Sequence, residues 1–230
     1  MPLSFAEHHE RVTPDLPVPP RPEYRPALHF TARRNWLNDP NGLVYAGGAY
    51  HLFYQHNPFA NEHGYMSWGH ATSPDLLHWT ERDVALPWTE RHDVFSGSAV
   101  VDWHNTSGAG QPGDPHPPLV AMYTGSRDHR QAQYLAFSRD AGQTWQPRRE
   151  AVLDEGKPDF RDPKTFWHAP TERWVSVVVH PNERQVGVYG SPDLLVWERL
   201  STFGPDGLEK EVGPPVHFPE GSESKKIPGS

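Results

Sequence analysis

Two short segments of this sequence place a carboxylate directly before a proline and close to a strand-like run. Asp39 lies within Trp36-Leu37-Asn38-Asp39-Pro40-Asn41-Gly42, and Asp162 lies within Phe160-Arg161-Asp162-Pro163-Lys164. Each Pro restricts the backbone of the Asp before it, and Gly42 permits a positive φ. Two carboxylates held in this way could hydrolyse glycosides, where one attacks or stabilises the anomeric carbon and a second carboxyl group protonates the leaving oxygen. Alternatively, each Asp could simply hydrogen-bond its own turn.

The segments around these carboxylates have the pattern of short β-strands. Residues 43–46 and 49–55 predict two strands joined by a tight turn at Gly47-Gly48. A degenerate motif that starts with Ser, contains Asp and ends with Trp recurs roughly every 55 to 65 residues, at 73–79, 138–145 and 191–197, and a strand-like segment precedes each copy. We therefore predict an all-β fold of the propeller type, with four-stranded blades and about three blades in this chain. A β-sandwich remains the alternative.

In a propeller, the innermost strands of successive blades converge on the central axis. Asp39 and Asp162, at the starts of equivalent strands in the first and third blades, are then expected to face each other across one pocket. Arg161 should keep Asp162 ionised, which suits it to ligand hydroxyls and positive charge rather than to proton donation. Other candidates for the wall of a sugar pocket are Gln55, Trp68, Phe95 and Ser96. The two aromatic residues could instead belong to the core, and Ser96 could make an edge hydrogen bond.

Composition excludes several other functions. The 230 residues carry 29 acidic and 21 basic side chains, a formal charge of −8, and no basic cluster, which argues against a nucleic-acid partner. Cys is absent, so thiolate chemistry is excluded, and the 15 His include no HExxH pair, so no metal is expected. The sequence shows neither a signal peptide nor a membrane-length apolar run, which predicts a cytoplasmic protein that does not contact membranes.

The chain divides into three parts. Residues 1–26 form a Pro-rich leader with polyproline-like character. Residues 27–204 hold the strand-like segments and the repeats, and residues 205–230 form a divergent polar tail. The chemistry is therefore expected within 27–204.

Several collinear motifs between about Pro26 and Gly204 resemble glycoside hydrolase family 32, the invertases, levanases and exo-inulinases that act on β-fructofuranosides. Besides the two Asp segments, they are Tyr50–Gln55, Met66–His70, Phe95–Asp102, Asn105–Gly108 and Ser191–Leu194. The resemblance implies a five-bladed propeller, usually followed by a β-sandwich, and a retaining mechanism without metal or cofactor. The segment from Phe95 to Gly108 looks more like levanases and exo-inulinases than like sucrose-only enzymes.

The resemblance also implies roles for individual residues. Asp39 matches the nucleophile, and Asp162 matches the residue that stabilises the transition state. Residues that match fructose-contacting positions are Trp36, Asn38, Gln55, Phe95, Ser96 and Arg161. The expected partner is therefore a fructose-containing oligosaccharide or polysaccharide such as sucrose, inulin or levan.

The chain departs from the family pattern at two places. His63 precedes Gly64 where many relatives have a Trp, which weakens an apolar sugar contact. The Glu-Cys-Pro motif that carries the family's general acid is absent after the third blade, where the sequence reads Gly207-Leu208-Glu209-Lys210-Glu211-Val212-Gly213. Glu211 is the nearest substitute and Glu209 the next, although both could be solvated tail charges.

We therefore predict a β-fructofuranosidase with an Asp nucleophile. One alternative is an inactive relic or fructan-binding fragment without the general acid. Another is a related arabinan- or xylan-cleaving propeller, although that class does not share the two Asp segments. Three blades are also expected to leave open sheet edges and an uncovered apolar face, which promote self-association.

Overall fold

The computed structural model of the chain describes residues 24–205. These residues form twelve strands and one short 3-10 helix, Ala169–Thr171. The strands are β1 Trp36–Ala46, β2 Ala49–Asn57, β3 Ser67–Ser73, β4 Thr80–Leu86, β5 Asp93–Val101, β6 Leu119–Arg127, β7 Arg130–Ser138, β8 Gln146–Pro147, β9 Arg161–His168, β10 Arg173–His180, β11 Gln185–Ser191 and β12 Glu198–Phe203. No helix within 24–205 is long and apolar enough to cross a membrane.

Consecutive strands pair antiparallel into three four-stranded sheets, β1–β4, β5–β8 and β9–β12. The sheets are the blades one, two and three. Their first strands are neighbours, because β5 contacts β1 on one side and β9 on the other. The prediction of an all-β fold with three four-stranded blades is confirmed. The hairpin across Gly47-Gly48 is also present, since β1 pairs with β2 up to Ala46 and Ala49.

The recurring Ser, Asp and Trp motif forms the same turn between the third and fourth strands of each blade. In blade one, the carboxylate of Asp75 accepts the backbone N–H groups of Leu77 and His78 at 2.9 and 2.8 Å. The indole of Trp79 donates to the Leu76 carbonyl at 3.1 Å. Equivalent indole bonds run from Trp145 to Gly142 and from Trp197 to Leu194. The repeat therefore stabilises the turn that connects the third strand of each blade to its outer, fourth strand.

Two buried apolar clusters join the blades. The cluster between blades one and two includes Phe53, Trp68 and Tyr123, and the cluster between blades two and three includes Met122, Phe160 and Trp174. Aromatic side chains of this size contribute much of the apolar area that packing removes from water. The blades thus stack face to face, which fixes the relative positions of β1, β5 and β9.

Candidate active site

A small polar cavity opens where the inner strands of the three blades meet. Its volume is about 160 Å³, and its walls are Asn38, Asp39, Gln55, His63, Phe95, Ser96, Arg161 and Asp162. Sites for drug-sized ligands typically have volumes of about 300–1,000 Å³, so this smaller cavity suits a single small polar ring. The structure thus brings together both candidate carboxylates with five of the seven predicted ligand contacts.

Each inner strand has a β-bulge at the cavity. Asn38 and Asp39 lie opposite Gln55 between the pairs Leu37–His56 and Pro40–Tyr54. Phe95 and Ser96 lie in the same way opposite Thr124 in β6, and Asp162 and Pro163 lie opposite Val178 in β10. Two residues facing one bend the strand and redirect its side chains. These three bulges turn six residues of β1, β5 and β9 out of their ladders, and five of the six line the cavity.

The bulge in β1 corrects one expectation. The segment from Trp36 to Gly42 was expected to be a turn that precedes the strand, but it lies inside β1, which begins at Trp36. Gly42 has the expected positive φ, 51°, and the strand has a second irregularity between Asn41 and Val44. Turn-forming residues here distort a strand rather than end it.

Asp39 and Asp162 are held by different contacts. The Ser96 hydroxyl donates to Asp39 Oδ2 at 2.9 Å, which ties the carboxylate of blade one to blade two. Asp162 adopts a left-handed backbone conformation with φ of 61°. Its N–H donates to Thr124 Oγ1 at 3.1 Å. Left-handed conformations are uncommon outside Gly and concentrate at functional sites, where surrounding contacts maintain them.

Arg161 favours the ionised form of Asp162, as expected from the sequence, but two other influences act against it. Burial raises the pKa of Asp162 above its usual value, the Arg161 charge opposes that shift, and the nearby charge of Asp39 adds to it. The guanidinium is turned mainly toward Asp159 and Gln131 Oε1, with Nε 4.0 Å from Asp162 Oδ2. Desolvation and like-charge repulsion therefore outweigh the effect of the cation on the pKa of Asp162.

Aromatic rings cover one side of the cavity. The imidazole of His63 makes edge contacts with Trp36 and Phe95, at centroid distances of 6.1 and 5.8 Å. Trp36 also donates its indole N–H to Asn38 Oδ1 at 2.6 Å, which orients that amide. His63 was singled out in the sequence only as a departure from a pattern. The structure adds it to the cavity wall between two predicted contact residues.

Two of the seven predicted ligand contacts do not line the cavity: Trp36 lies beside it against His63, and Trp68 lies elsewhere. Its side chain is fully buried between blades one and two. Its indole N–H donates to the Phe95 carbonyl at 2.9 Å. Trp68 is therefore a core residue that fixes the bulge of β5, because a side chain without exposed surface cannot line the cavity.

Comparison with known proteins agrees with this geometry. The family model described as the glycosyl hydrolases family 32 N-terminal domain matches residues 29–213. The chain belongs to this family.

Individual relatives share a large part of this chain. The levanase of Bacillus subtilis is 47% identical over 186 residues, which cover 80% of this chain and 27% of the levanase. Among solved structures, the exo-inulinase from Aspergillus awamori superposes with a TM-score of 0.74 at 41% identity, over 79% of this chain and 40% of that one. The β-fructofuranosidase from Schwanniomyces occidentalis, complexed with fructosyl-erythritol, gives 0.72 at 40% identity, over 78% and 36%.

These matches confirm the resemblance to family 32 and the propeller class of the fold. This chain spans about a quarter to two fifths of the length of these relatives. Glu211, the candidate acid of this family 32 chain, lies outside the described residues, as do residues 1–23 of the predicted leader and residues 206–230 of the predicted tail. Within 24–205, no group of three or more His, Asp or Glu side chains could hold a metal ion.

One larger cavity in the described part of this family 32 chain has carboxylates that are already paired. The cavity of about 520 Å³ beside blades two and three includes Asp114 and Asp140. Arg139 donates to both oxygens of Asp114 at 2.7 and 2.8 Å and lowers its pKa to about 2. Asp140 caps the turn that ends at Trp145 and accepts N–H groups of Gln143 and Thr144. Neither carboxylate is available for chemistry.

Proposed function

We propose that this chain carries the fructosyl-binding cavity of a β-D-fructofuranosidase that hydrolyses sucrose, inulin or levan with retention of configuration. The observation that supports this proposal most strongly is the pair formed by Asp39 and Asp162 in one small cavity. Membership of family 32 supports the same substrate class. The names of relatives, levanase, exo-inulinase and invertase, indicate fructose-containing substrates but differ in which one.

In the proposed reaction, Asp39 attacks the anomeric carbon of the fructosyl unit. The bond from that carbon to the leaving oxygen breaks, its electron pair goes to the oxygen, and a carboxylic acid supplies the proton. Water then attacks the same anomeric carbon while it gives a proton to the acid group in its carboxylate form. The bond from that carbon to Asp39 breaks, and its electron pair returns to the Asp39 carboxylate. The bond that holds Asp39 Oδ2 to Ser96 suits this role, because it fixes one oxygen and leaves the other free to attack.

Asp162 is proposed to stabilise the positive charge that develops on the sugar ring. Its raised pKa reflects negative charge that burial and Asp39 leave poorly compensated in the free protein. A developing oxocarbenium ion supplies the missing positive charge in the transition state, so its interaction with Asp162 strengthens as the reaction proceeds. Arg161, Asn38 and Gln55 are proposed to bind fructosyl hydroxyls, with Trp36, Phe95 and Ser96 beside them.

Glu211 is proposed as the general acid, with Glu209 as the next candidate. A non-hydrolytic function, in which the cavity binds fructans without cleaving them, is the second candidate. It is favoured by one observation: among the described residues that line the cavity, none is a Glu. Loss of general-acid catalysis typically slows a reaction by about a hundred- to ten-thousandfold.

The decisive experiment compares two substrates with residues 1–230. In p-nitrophenyl β-D-fructofuranoside the leaving group departs with little protonation, whereas fructose in inulin or sucrose needs the acid. Asp39→Asn should abolish cleavage of both substrates, by more than about a thousandfold, because no covalent intermediate can form. Glu211→Gln should slow sucrose cleavage and largely spare the nitrophenyl substrate.

Asp128→Asn is the matched control, since Asp128 is an exposed Asp at a left-handed turn position outside the cavity. It should leave both rates unchanged. If Asp39→Asn cleaves the nitrophenyl substrate as fast as Asp128→Asn does, the hydrolytic proposal is wrong. If the unaltered chain cleaves neither substrate but binds fructose, with the affinity lowered by Asp162→Asn, the binding function is favoured instead.

A further inference from the structure

The bulge that presents Asp162 interrupts the hydrogen-bond ladder between β9 and β10. Arg161 pairs with Val179 and Lys164 pairs with Val177, so Asp162 and Pro163 have no regular partners in β10. Buried backbone N–H and C=O groups need partners, and unpaired ones cost free energy. The partners of this stretch must therefore come from outside blade three.

Blade two supplies these partners through buried side chains. Ser98 Oγ in β5 donates to the carbonyl of Pro163 at 2.9 Å, and Thr124 and Gln133 hold the residues before it. Thr124 Oγ1 in β6 accepts the N–H of Asp162 at 3.1 Å and donates its own proton to Gln133 Oε1 at 2.8 Å. Gln133 in β7 then donates from Nε2 to the carbonyl of Phe160 at 2.7 Å. Thr124 and Gln133 are fully buried and face each other across β6 and β7. One connected network thus fixes the backbone on both sides of Arg161.

Blade one holds the bulge of blade two in the same way. Gln55 in β2 and Trp68 in β3 also face each other across their strands. Gln55 donates to the Val94 carbonyl at 3.0 Å, and Trp68 donates to the Phe95 carbonyl at 2.9 Å. Gln55 and Thr124 occupy equivalent places, since each lies opposite the bulge of its own blade's inner strand. In blades one and two, a cross-strand pair of side chains thus holds the bulge of the following blade.

We propose that Thr124 and Gln133 are positioning residues that hold Asp162 in the cavity through the backbone of β9. The inference rests on the role proposed above for Asp162. Neither residue lines the cavity, so they act on a ligand only through the backbone of residues 160–162 that they hold. The left-handed conformation at Asp162 is maintained because its N–H has one well-placed acceptor, the Thr124 hydroxyl. Without that acceptor the bulge can relax and the carboxyl group can move toward solvent and away from Asp39.

The test replaces the Thr124 hydroxyl with a methyl group of similar size, in Thr124→Val. Thr165→Val is the matched control, because Thr165 is also buried and its hydroxyl bonds within blade three and to Met122 rather than to Asp162. Titration of the Asp162 carboxyl by ¹³C NMR in residues 1–230 measures the local environment without any turnover. Thr124→Val should lower the pKa of Asp162 toward the usual Asp value, whereas Thr165→Val and Thr124→Ser should leave it unchanged.

A kinetic measurement follows the same variants with p-nitrophenyl β-D-fructofuranoside. Misplacement of a reacting group can cost about a hundredfold, so Thr124→Val should lower kcat by about that factor with little change in KM, and Thr124→Ser should recover most of the rate. If Thr124→Val does not fold, Gln133→Met reads the same network from its other end and should shift the Asp162 titration in the same direction.

The outcomes separate this inference from the proposed function. An Asp162 titration that stays the same in Thr124→Val, or that shifts equally in Thr165→Val, overturns the positioning role even if fructosides are cleaved. A shift confined to Thr124→Val and Gln133→Met supports the positioning role even if the unaltered chain neither binds nor cleaves fructosides. In that case only the proposed function fails.

Discussion

Asp162→Asn is expected to stabilise the fold at neutral pH while it removes a proposed functional group. Burial and the charge of Asp39 both disfavour the ionised form of Asp162, as its raised pKa shows. The Asn side chain carries no charge and tolerates the left-handed conformation at this position. Residues that serve a function at a cost in stability are common at active sites.

The size of the effect is limited by solvent. The Asp162 side chain keeps 49% of its surface exposed, so water screens much of the repulsion. We expect a gain of about 0.5–1 kcal/mol in the free energy of unfolding at pH 7. For a domain of this size each kcal/mol shifts Tm by about 2–4 °C, which gives an increase of about 1–4 °C.

The pH dependence has a definite sign. At pH 7 the native state carries the cost of an ionised Asp162. As the pH falls through the raised pKa, the native carboxyl takes up a proton and the cost disappears. Below the ordinary Asp value of about 3.9 the unfolded chain is protonated as well, so the charge advantage of Asp162→Asn is absent.

Thermal unfolding of residues 1–230 at pH 7 and pH 3 measures this difference. Asp128→Asn controls for the backbone, because Asp128 also has a positive φ, 49°, but is exposed and does not line the cavity. Any gain common to both variants comes from the backbone. The reasoning is refuted if Asp162→Asn does not exceed Asp128→Asn in Tm at pH 7, or if its advantage is as large at pH 3.

Three further predictions concern the strand geometry, the nucleophile and the open side of blade three. Gly97→Ala should destabilise the fold by about 3 kcal/mol or more, since a Cβ at this position would lie 2.1 Å from the Met122 carbonyl oxygen. Denaturant unfolding measures the difference, and a near-neutral effect would contradict this packing. Mass spectrometry of Asp162→Asn with the nitrophenyl fructoside should trap a fructosyl ester on Asp39, and an adduct on any other residue would reassign the nucleophile. Purified residues 1–230 should self-associate, because the apolar residues Val196 and Phe203 leave 67% and 78% of their surface exposed. A chain that stays monomeric at all concentrations in size-exclusion chromatography would count against this prediction.

The sequence was sufficient to predict the class of fold, because strand patterns and the Trp-ended repeat are local signals. Asp75 and Trp79 complete their turn within four residues. The hairpin at Gly47-Gly48 depends on two residues only. Local hydrogen bonds of this kind are encoded by residue type, so a single sequence is enough to identify them.

The arrangement of the cavity was only partly predictable, because its contacts join distant parts of the chain. Both Asp residues were identified by their Pro neighbours, but the bond from Ser96 to Asp39 spans 57 residues. Trp68 was assigned to the cavity as an aromatic residue on a supposed inner strand, although it lies in β3 and its side chain is in the core. An aromatic residue in a strand carries no local sign of which face it occupies once a bulge shifts the alternation.

The positioning residues could not be identified from the sequence, because their partners are distant in the chain. Thr124 lies in β6 with the sequence Leu119-Val120-Ala121-Met122-Tyr123-Thr124, where a single polar residue ends an apolar run. Its partner Asp162 is 38 residues away in another blade. A buried hydroxyl in an apolar strand needs a hydrogen-bond partner, so its presence indicates that some distant polar group must approach it. Which group approaches is decided by how blade two packs against blade three, and that packing depends on the whole chain rather than on the segment around Thr124.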